Sequence, residues 1–361
     1  MLTIKAPETY INEYGILAEA GKYISVYGKK ALIIAGKTAW SKVEKELEKS
    51  LEEWNVISEL MIMEGYPVYD KIQKYASFSD EMQSDLVIGI GGGKICDAAK
   101  AVGDLRNIPV VIIPTIAATC ACWASRSILY KNDGNFDLVH WNKKSPVLIL
   151  SDTQVLKEAP KRYLASGIMD TFAKWYEFEP LIEKFGSDLT LLQNVATAKV
   201  AFDLLKELGT DSYFGKTEDD LFKKVVDAIF YLAGASGSFS DGKPKRGFAH
   251  PYYFASTRIA ESRHMLHGEK VAFGLLVQFI LKGKDDDYIN KYIDELLLYG
   301  LVETPEDWES TDPDRMILRL SEILMDEWPV VAENGFAYSD RDIEEAIHEA
   351  CRRIRSVRDV K

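Results

Sequence analysis

The stretch Asp85-Leu-Val-Ile-Gly-Ile-Gly-Gly-Gly-Lys-Ile-Cys-Asp-Ala-Ala-Lys100 decides how this chain is read. Leu86 to Ile90 is a short apolar run, long enough for one buried strand and too short for a helix. Gly91, Gly92 and Gly93 follow, and 94–103 reads as a helix with Ala98, Ala99 and Val102 turned inward. Strand, glycine turn and helix start together make a place for phosphate. Glycine lets the backbone approach the oxygens, and the unpaired N–H groups of the first helical turn point at them. The spacing is neither Gly-x-Gly-x-x-Gly nor a P-loop, since no Gly-Lys-Ser/Thr closes it. Taken alone, the stretch reads equally well as a tight turn between strand and helix.

Outward from this centre the first half of the chain alternates. Strands are predicted over 30–36, 56–63, 107–115 and 146–151, with helices over 38–54 and 68–77. Such alternation predicts a parallel sheet covered by helices on both faces. Ser127 to Tyr130 and Phe136 to His140 flank Asn132-Asp-Gly-Asn135, a hairpin signal. From about Lys161 the texture becomes helical, over 163–178, 188–207, 219–235, 270–281, 288–298, 316–327 and 341–356. The segment 234–254, rich in Gly, Ser and Lys, interrupts it. The pattern predicts an α/β nucleotide-binding domain over 1–160 and a helical domain over 161–361, with the ligand cleft between them.

Composition narrows the function. At 361 residues the chain has room for two domains, and 47% hydrophobic with 28% charged residues is ordinary for a globular protein. A net charge of -12 argues against nucleic acid or an anionic membrane as partner. The start, Met1-Leu-Thr-Ile-Lys-Ala-Pro7, lacks the apolar core of a signal peptide. The most apolar stretch, 110–124, is broken by Pro114 and too short to span a bilayer. A cytoplasmic protein is expected, acting on a small-molecule substrate as a homo-oligomer. Cys96, Cys120, Cys122 and Cys351 form no zinc-type spacing, so reduced thiols are expected.

Gly-Gly-Gly-Lys-x-x-Asp-x-x-Lys over 91–100 is followed by Ile113-Pro-Thr-Ile-Ala-Ala-Thr-Cys-Ala-Cys-Trp123. Further on come Gly167-Ile-Met-Asp-Thr-Phe-Ala-Lys-Trp-Tyr-Glu177 and His267-Gly-Glu-Lys-Val-Ala-Phe-Gly274. This ordered series, which covers most of the chain, resembles the iron-containing alcohol dehydrogenase superfamily. Within it the match is to the glycerol dehydrogenase branch, and closest to the hydroxycarboxylate dehydrogenase A type. The resemblance implies a Rossmann-like N-terminal domain, an all-α C-terminal domain, and hydride transfer between a nicotinamide cofactor and a CH–OH group.

Residue roles follow from the resemblance. Gly91, Gly92, Gly93, Lys94 and Ile95 should cradle the cofactor pyrophosphate. Thr115, Ile116, Ala117, Ala118, Ala124, Arg126 and Tyr130 should line the nicotinamide side. Arg126 departs from the family's apolar residue and is a candidate for a substrate carboxylate or a cofactor phosphate, alongside a surface role. Glycerol dehydrogenases end the first strand in Asp, which binds the adenosine ribose. Here the position is Gly36 followed by Lys37, which leaves room for a 2′-phosphate and favours NADP(H) over NAD(H). The plain alternative is a turn glycine and a solvated lysine. Asp97 and Lys100 read as an i,i+3 surface pair.

His140, His250, His264, His267 and His348 show no close-spaced metal motif of their own. By resemblance, Asp170, His250 and His267 are the metal ligands, and His264 is a neighbour. Lys174 stands where iron-dependent members place a fourth ligand, which favours a three-ligand Zn²⁺ site over Fe²⁺. In the polyol enzymes an Asp meets a glycerol hydroxyl where Cys120 stands here, so the substrate expected is a 2-oxo acid, with glycerol as runner-up. The usual His-Ala-x-His-Asn-Gly is replaced by His250-Pro-Tyr-Tyr-Phe-Ala255. Tyr252, Tyr253 and Phe254 should therefore wall the pocket with aromatic surface. Arg126, Arg246 and Arg258 are candidate carboxylate partners. A fold-sharing lyase, 3-dehydroquinate synthase, is the alternative from another class, but its carboxylate–histidine spacing is not seen. A non-catalytic nucleotide-binding protein would have little use for Asp170, His250 and His267.

Overall fold

The computed structural model describes residues 2–240, 245, 247–327 and 332–359. Its first elements are β1 (Thr3–Ile4), β2 (Thr9–Glu13), α1 (Ala20–Ile24), β3 (Lys30–Ala35), α2 (Lys37–Glu53) and β4 (Ile57–Ile62). Then come α3 (Tyr69–Glu81), β5 (Leu86–Gly91), α4 (Gly93–Arg106) and β6 (Val110–Pro114). The hairpin β7 (Arg126–Tyr130) and β8 (Phe136–Trp141), β9 (Leu148–Asp152) and α5 (Thr153–Glu158) complete the half. Six of these strands form one sheet in the order β2-β9-β6-β5-β3-β4, every neighbouring pair parallel.

The side chains explain why the sheet is covered on both faces. Successive residues of a strand point to opposite sides. Leu32, Ile34, Val87, Ile112 and Ile149 enter one core, while Ala31, Ile33, Leu86, Ile88, Val111 and Leu148 enter the other. Continuous apolar runs are what a strand buried on both faces needs. The edge strand β2 lacks such a run. Its Tyr10 hydroxyl and Asn12 amide instead donate to Asp227 Oδ1, at 2.9 and 2.8 Å.

From Lys161 onward the elements are almost all helical. They are α6 (Lys161–Phe178), α7 (Ile182–Phe185), α8 (Leu189–Tyr213) and α9 (Asp219–Asp227). A π-helical turn (Ala228–Leu232) separates α9 from α10 (Ala233–Ala235), so the helix expected over 219–235 is broken. The short strand β10 (Phe239–Ser240) pairs antiparallel with β1. Last come α11 (Ala249–Ser256), α12 (His267–Leu281), α13 (Asp286–Leu298), α14 (Pro313–Glu327) and α15 (Asp340–Arg358). No helix among the described residues is long and apolar enough to cross a membrane.

Strand order fixes where ligands can sit. After β3 the chain moves outward to β4, then returns to the other side of β3 as β5. The carboxyl ends of β3 and β5 therefore flank a switch point, where open parallel sheets bind their ligands. Gly36 follows β3 and Gly91 ends β5, and the Gly36 N–H donates to Ile90 O at 3.2 Å.

Candidate metal centre and cofactor cleft

A cleft of about 670 Å³ opens above that switch point. Gly92, Gly93, Lys94 and Ile95 line it from the start of α4. Gly91 has φ +154°, and a Cβ there would lie 2.7 Å from Ile95 Cγ1, so only glycine keeps this turn. The first turn of a 14-residue helix without a side-chain cap lines the space, and such a helix start suits a phosphate. Ile116, Ala118, Cys120 and Ala124 extend the wall from the loop after β6, and Arg126 and Tyr130 from β7.

The opposite wall is built from three helices. Asp170 lies in the middle of α6, His250 near the start of α11 and His267 at the first position of α12. Close helix contact brings them together. A Cβ on Gly268 would sit 1.9 Å from Ser166 O, so glycine at this position lets α12 start directly against α6. The Gly268 N–H donates to Ser166 Oγ at 2.9 Å. Glu269 accepts from the Leu266 N–H at 2.7 Å and pairs with Arg162, which clamps the first turn of α12 to α6.

The ligand atoms of Asp170, His250 and His267 all lie within 4.8 Å of one another. His250 Nε2 is 3.2 Å and His267 Nε2 3.1 Å from Asp170 Oδ1. Among the described residues no other group of three His, Cys, Asp or Glu side chains converges in this way. One carboxylate and two imidazoles suit Zn²⁺ or a comparable first-row ion. Glu177, on the same face of α6 as Asp170 and Lys174, accepts the His250 backbone N–H at 3.0 Å and bonds Nδ1 with its other oxygen. In the neutral ring a proton on Nδ1, facing Glu177, leaves the Nε2 lone pair for a metal.

The electrostatics of Asp170 and His267 favour the same use, whereas His250 is drawn towards its protonated form. Burial opposes the charge on Asp170, yet Lys174 and His267 hold its carboxyl well below the usual range. Burial depresses His267, favouring the neutral imidazole that a metal requires. Burial also opposes protonation of His250, but the Glu177 carboxylate outweighs it and raises the pKa. Lys174 Nζ lies 3.4 Å from His250 Nε2, beside the triad.

Known proteins are similar to this chain in sequence and in fold. A family profile described as iron-containing alcohol dehydrogenase matches residues 7–153. A glycerol dehydrogenase of Pseudomonas putida is 31% identical over 288 residues, 77% of each chain. The chain belongs to the iron-containing alcohol dehydrogenase family. A glycolaldehyde reductase of Halobacterium salinarum is 29% identical over 98% of both chains. A hydroxycarboxylate dehydrogenase A of Escherichia coli is 33% identical over 63% of both. In shape, a probable glycerol dehydrogenase from Sinorhizobium meliloti superposes with TM-score 0.86 at 22% identity, covering 98% of this chain and 99% of that one. This dehydrogenase is thus an oxidoreductase of a metal-dependent, NAD(P)-linked family, and its fold is that family's fold.

The residues expected at the dehydrogenase's site fall into three groups. Most line the cleft. Gly91, Thr115 and Ala117 stand just behind it, and Gly36 and Lys37 lie outside the cleft wall. Gly36 is nevertheless next to the lining residue Ile95, since a Cβ on it would lie 3.8 Å from Ile95 Cγ1. Cys120 lines the cleft, and burial raises its thiol so that it stays neutral. His264 faces the cleft but pairs with Glu303 and stands apart from the triad.

Three expectations need correction. Asp97 and Lys100 are buried, not a surface pair: the Lys100 ammonium bonds Asp97 at 2.9 Å and donates to the carbonyls of Ala121, Ala124 and Arg126. Tyr252 packs against Phe248 and Phe273 and does not line the cleft, so only Tyr253 and Phe254 form its aromatic wall. Arg258 does not line the cleft either, and Arg246 lies outside the described residues. Sequence reading also missed the roles of Glu177 and Lys270. The i,i+4,i+7 spacing of Asp170, Lys174 and Glu177 was the available signal for the first.

Proposed function

We propose that this dehydrogenase transfers hydride between NADP(H) and a small 2-oxo or 2-hydroxy acid, at a metal held by Asp170, His250 and His267. The observation that carries the reading is the joining of the glycine turn, the triad and a neutral Cys120 in one cleft. When bound, the metal supplies Lewis-acid polarisation of the substrate oxygen, and the nicotinamide supplies or takes the hydride. The chain's own residues do the rest. Glu177 orients His250, Lys174 keeps Asp170 ionised, and Tyr253 lays its ring edge-on to His267 at 4.1 Å, shielding that face from water. Arg126 reaches the cleft with a planar guanidinium suited to a carboxylate.

The lining residues fall within 63–141 and 163–270, which supports a nucleotide-binding unit over 1–160 and a helical metal-binding unit over 161–361. Cys120 supports an anionic substrate because it repels no carboxylate and offers a triol no strong acceptor. A second reading, reduction of a small hydroxyaldehyde, is favoured by the relative named for glycolaldehyde that aligns over nearly the whole chain.

A substrate screen of metal-reconstituted protein with NADPH and NADH separates these readings. The expected result is turnover of 2-oxobutanoate-like acids with NADPH and weak oxidation of glycerol. A buried hydroxyl without its partner costs about 1–3 kcal/mol, roughly a ten- to hundredfold loss. Cys120→Asp should worsen the acids and leave polyols equal or better. Strong glycerol oxidation with no turnover of any 2-oxo acid would overturn the assignment. Turnover confined to hydroxyaldehydes would establish the second reading.

A further inference from the structure

The charges lining the cleft are unevenly matched. Its acids are all engaged: Asp97 by Lys100, Asp170 by both histidines, and Glu177 by His250. Lys94 and Lys270 form no ion pair among the described residues; Lys270 is buried, whereas Lys94 is exposed at the cleft. Lys94 is the second residue of α4, directly after the glycine turn, and its ammonium stands 3.8 Å above the Tyr66 ring. Lys270 is one turn along α12 from His267 and is 4% exposed. Its Nζ donates to Ser262 Oγ at 2.7 Å. That hydroxyl donates in turn to the carbonyls of Ser256 and Ile259, at 2.5 and 2.9 Å, so the lysine head is held in place.

An ammonium carries three N–H donors, and Ser262 uses one. The centre of the Tyr253 ring lies 6.0 Å from the same Nζ. Two cations facing one cleft repel each other, and the buried Lys270 pays for its desolvation unless an anion joins it. We propose that Lys94 from α4 and Lys270 from α12 clamp the diphosphate of the dinucleotide between them. The clamp rests on the reading that the glycine turn receives that diphosphate. It adds a binding residue from the helical half, so that the cofactor bridges the two walls of the cleft. Burial first, and the field of Lys94 second, lower the Lys270 ammonium to about 7, which fits a cation waiting for its counter-ion.

Equilibrium binding of NADPH, ADP-ribose and AMP to the full-length, metal-loaded protein tests the clamp. In Lys270→Met the Kd for NADPH and for ADP-ribose should rise by about ten- to a hundredfold, the loss expected for a charge-assisted bond. Lys270→Arg should retain most of the affinity. AMP, which lacks a diphosphate, should bind all variants alike, and KM for the carbonyl substrate at saturating NADPH should not change. If Lys270→Met fails to fold, Lys270→Gln, which removes the charge but can still bond Ser262, carries the same test. An unchanged Kd for ADP-ribose overturns the clamp. So does a raised KM for the oxo acid with an unchanged Kd for NADPH, which would assign Lys270 to the substrate. A wild type that binds neither NADPH nor ADP-ribose overturns the reading of the glycine turn itself, and the clamp with it.

Discussion

Glu177 shows what a single carboxylate does at this site. It grips both the backbone N–H and Nδ1 of His250, so it sets both the position and the tautomer of one proposed ligand. Glu177→Gln keeps the shape but can turn its amide N–H towards Nδ1, which moves the ring proton to Nε2. Metal affinity should fall by about ten- to a hundredfold. Competition against a chelating dye measures it, and unchanged affinity would show that the carboxylate only fills space. Gly36 makes a second test at this scale. A Cβ there meets nothing closer than 3.8 Å, so Gly36→Asp adds charge without strain. Its carboxylate should shift kcat/KM from NADPH towards NADH by about 1–3 kcal/mol, through repulsion of the 2′-phosphate. A wild-type preference for NADH, unaltered by the substitution, would contradict the NADP(H) reading. Three of these residues were legible in the sequence through their motif: Asp170, His250 and His267. Glu177 stands in the same motif as Asp170 but shows no role there, because its partner lies 73 positions away and only the fold reveals the pair.

Lys100 works at the level of elements. From α4 it reaches three carbonyls in the loop and strand that line the cleft beside Cys120. Burial pushes the Asp97 carboxyl up even with Lys100 beside it, so the pair is costly to break. Lys100→Met removes the carbonyl bonds and strands Asp97, which should cost about 3–5 kcal/mol. Urea unfolding reads this directly, and a change below about 1 kcal/mol would mean that the loop holds its shape without the lysine. Local sequence suggested only an i,i+3 surface pair because helix periodicity says nothing of what packs on that face. The strands were more legible. Their apolar runs announce burial on both sides, whereas β2 stayed hidden because its Tyr10 and Asn12 face a polar partner. The break in the helix over 219–235 has no breaker residue to announce it, as Ala228-Ile-Phe-Tyr-Leu232 contains neither Gly nor Pro.

At the scale of the whole molecule, the dehydrogenase places a glycine turn suited to phosphate and a proposed metal triad on facing walls of one cleft. The turn comes from a parallel sheet that the alternation of strands and helices foretells, although only the strand order shows its switch point. The triad comes from α6, α11 and α12, whose convergence depends on contacts such as Gly268 against Ser166 and was legible only through the family's motifs. A metal held by three helices far apart in sequence should also hold those helices together, so its loss should lower both activity and thermal stability. The most direct test is elemental analysis coupled to turnover, on wild type, on His267→Ala and on protein stripped by chelation. The account predicts about one transition metal per wild-type chain, its loss together with activity in His267→Ala, and recovery of the stripped enzyme when metal is restored. Full turnover by stringently metal-free protein would contradict it.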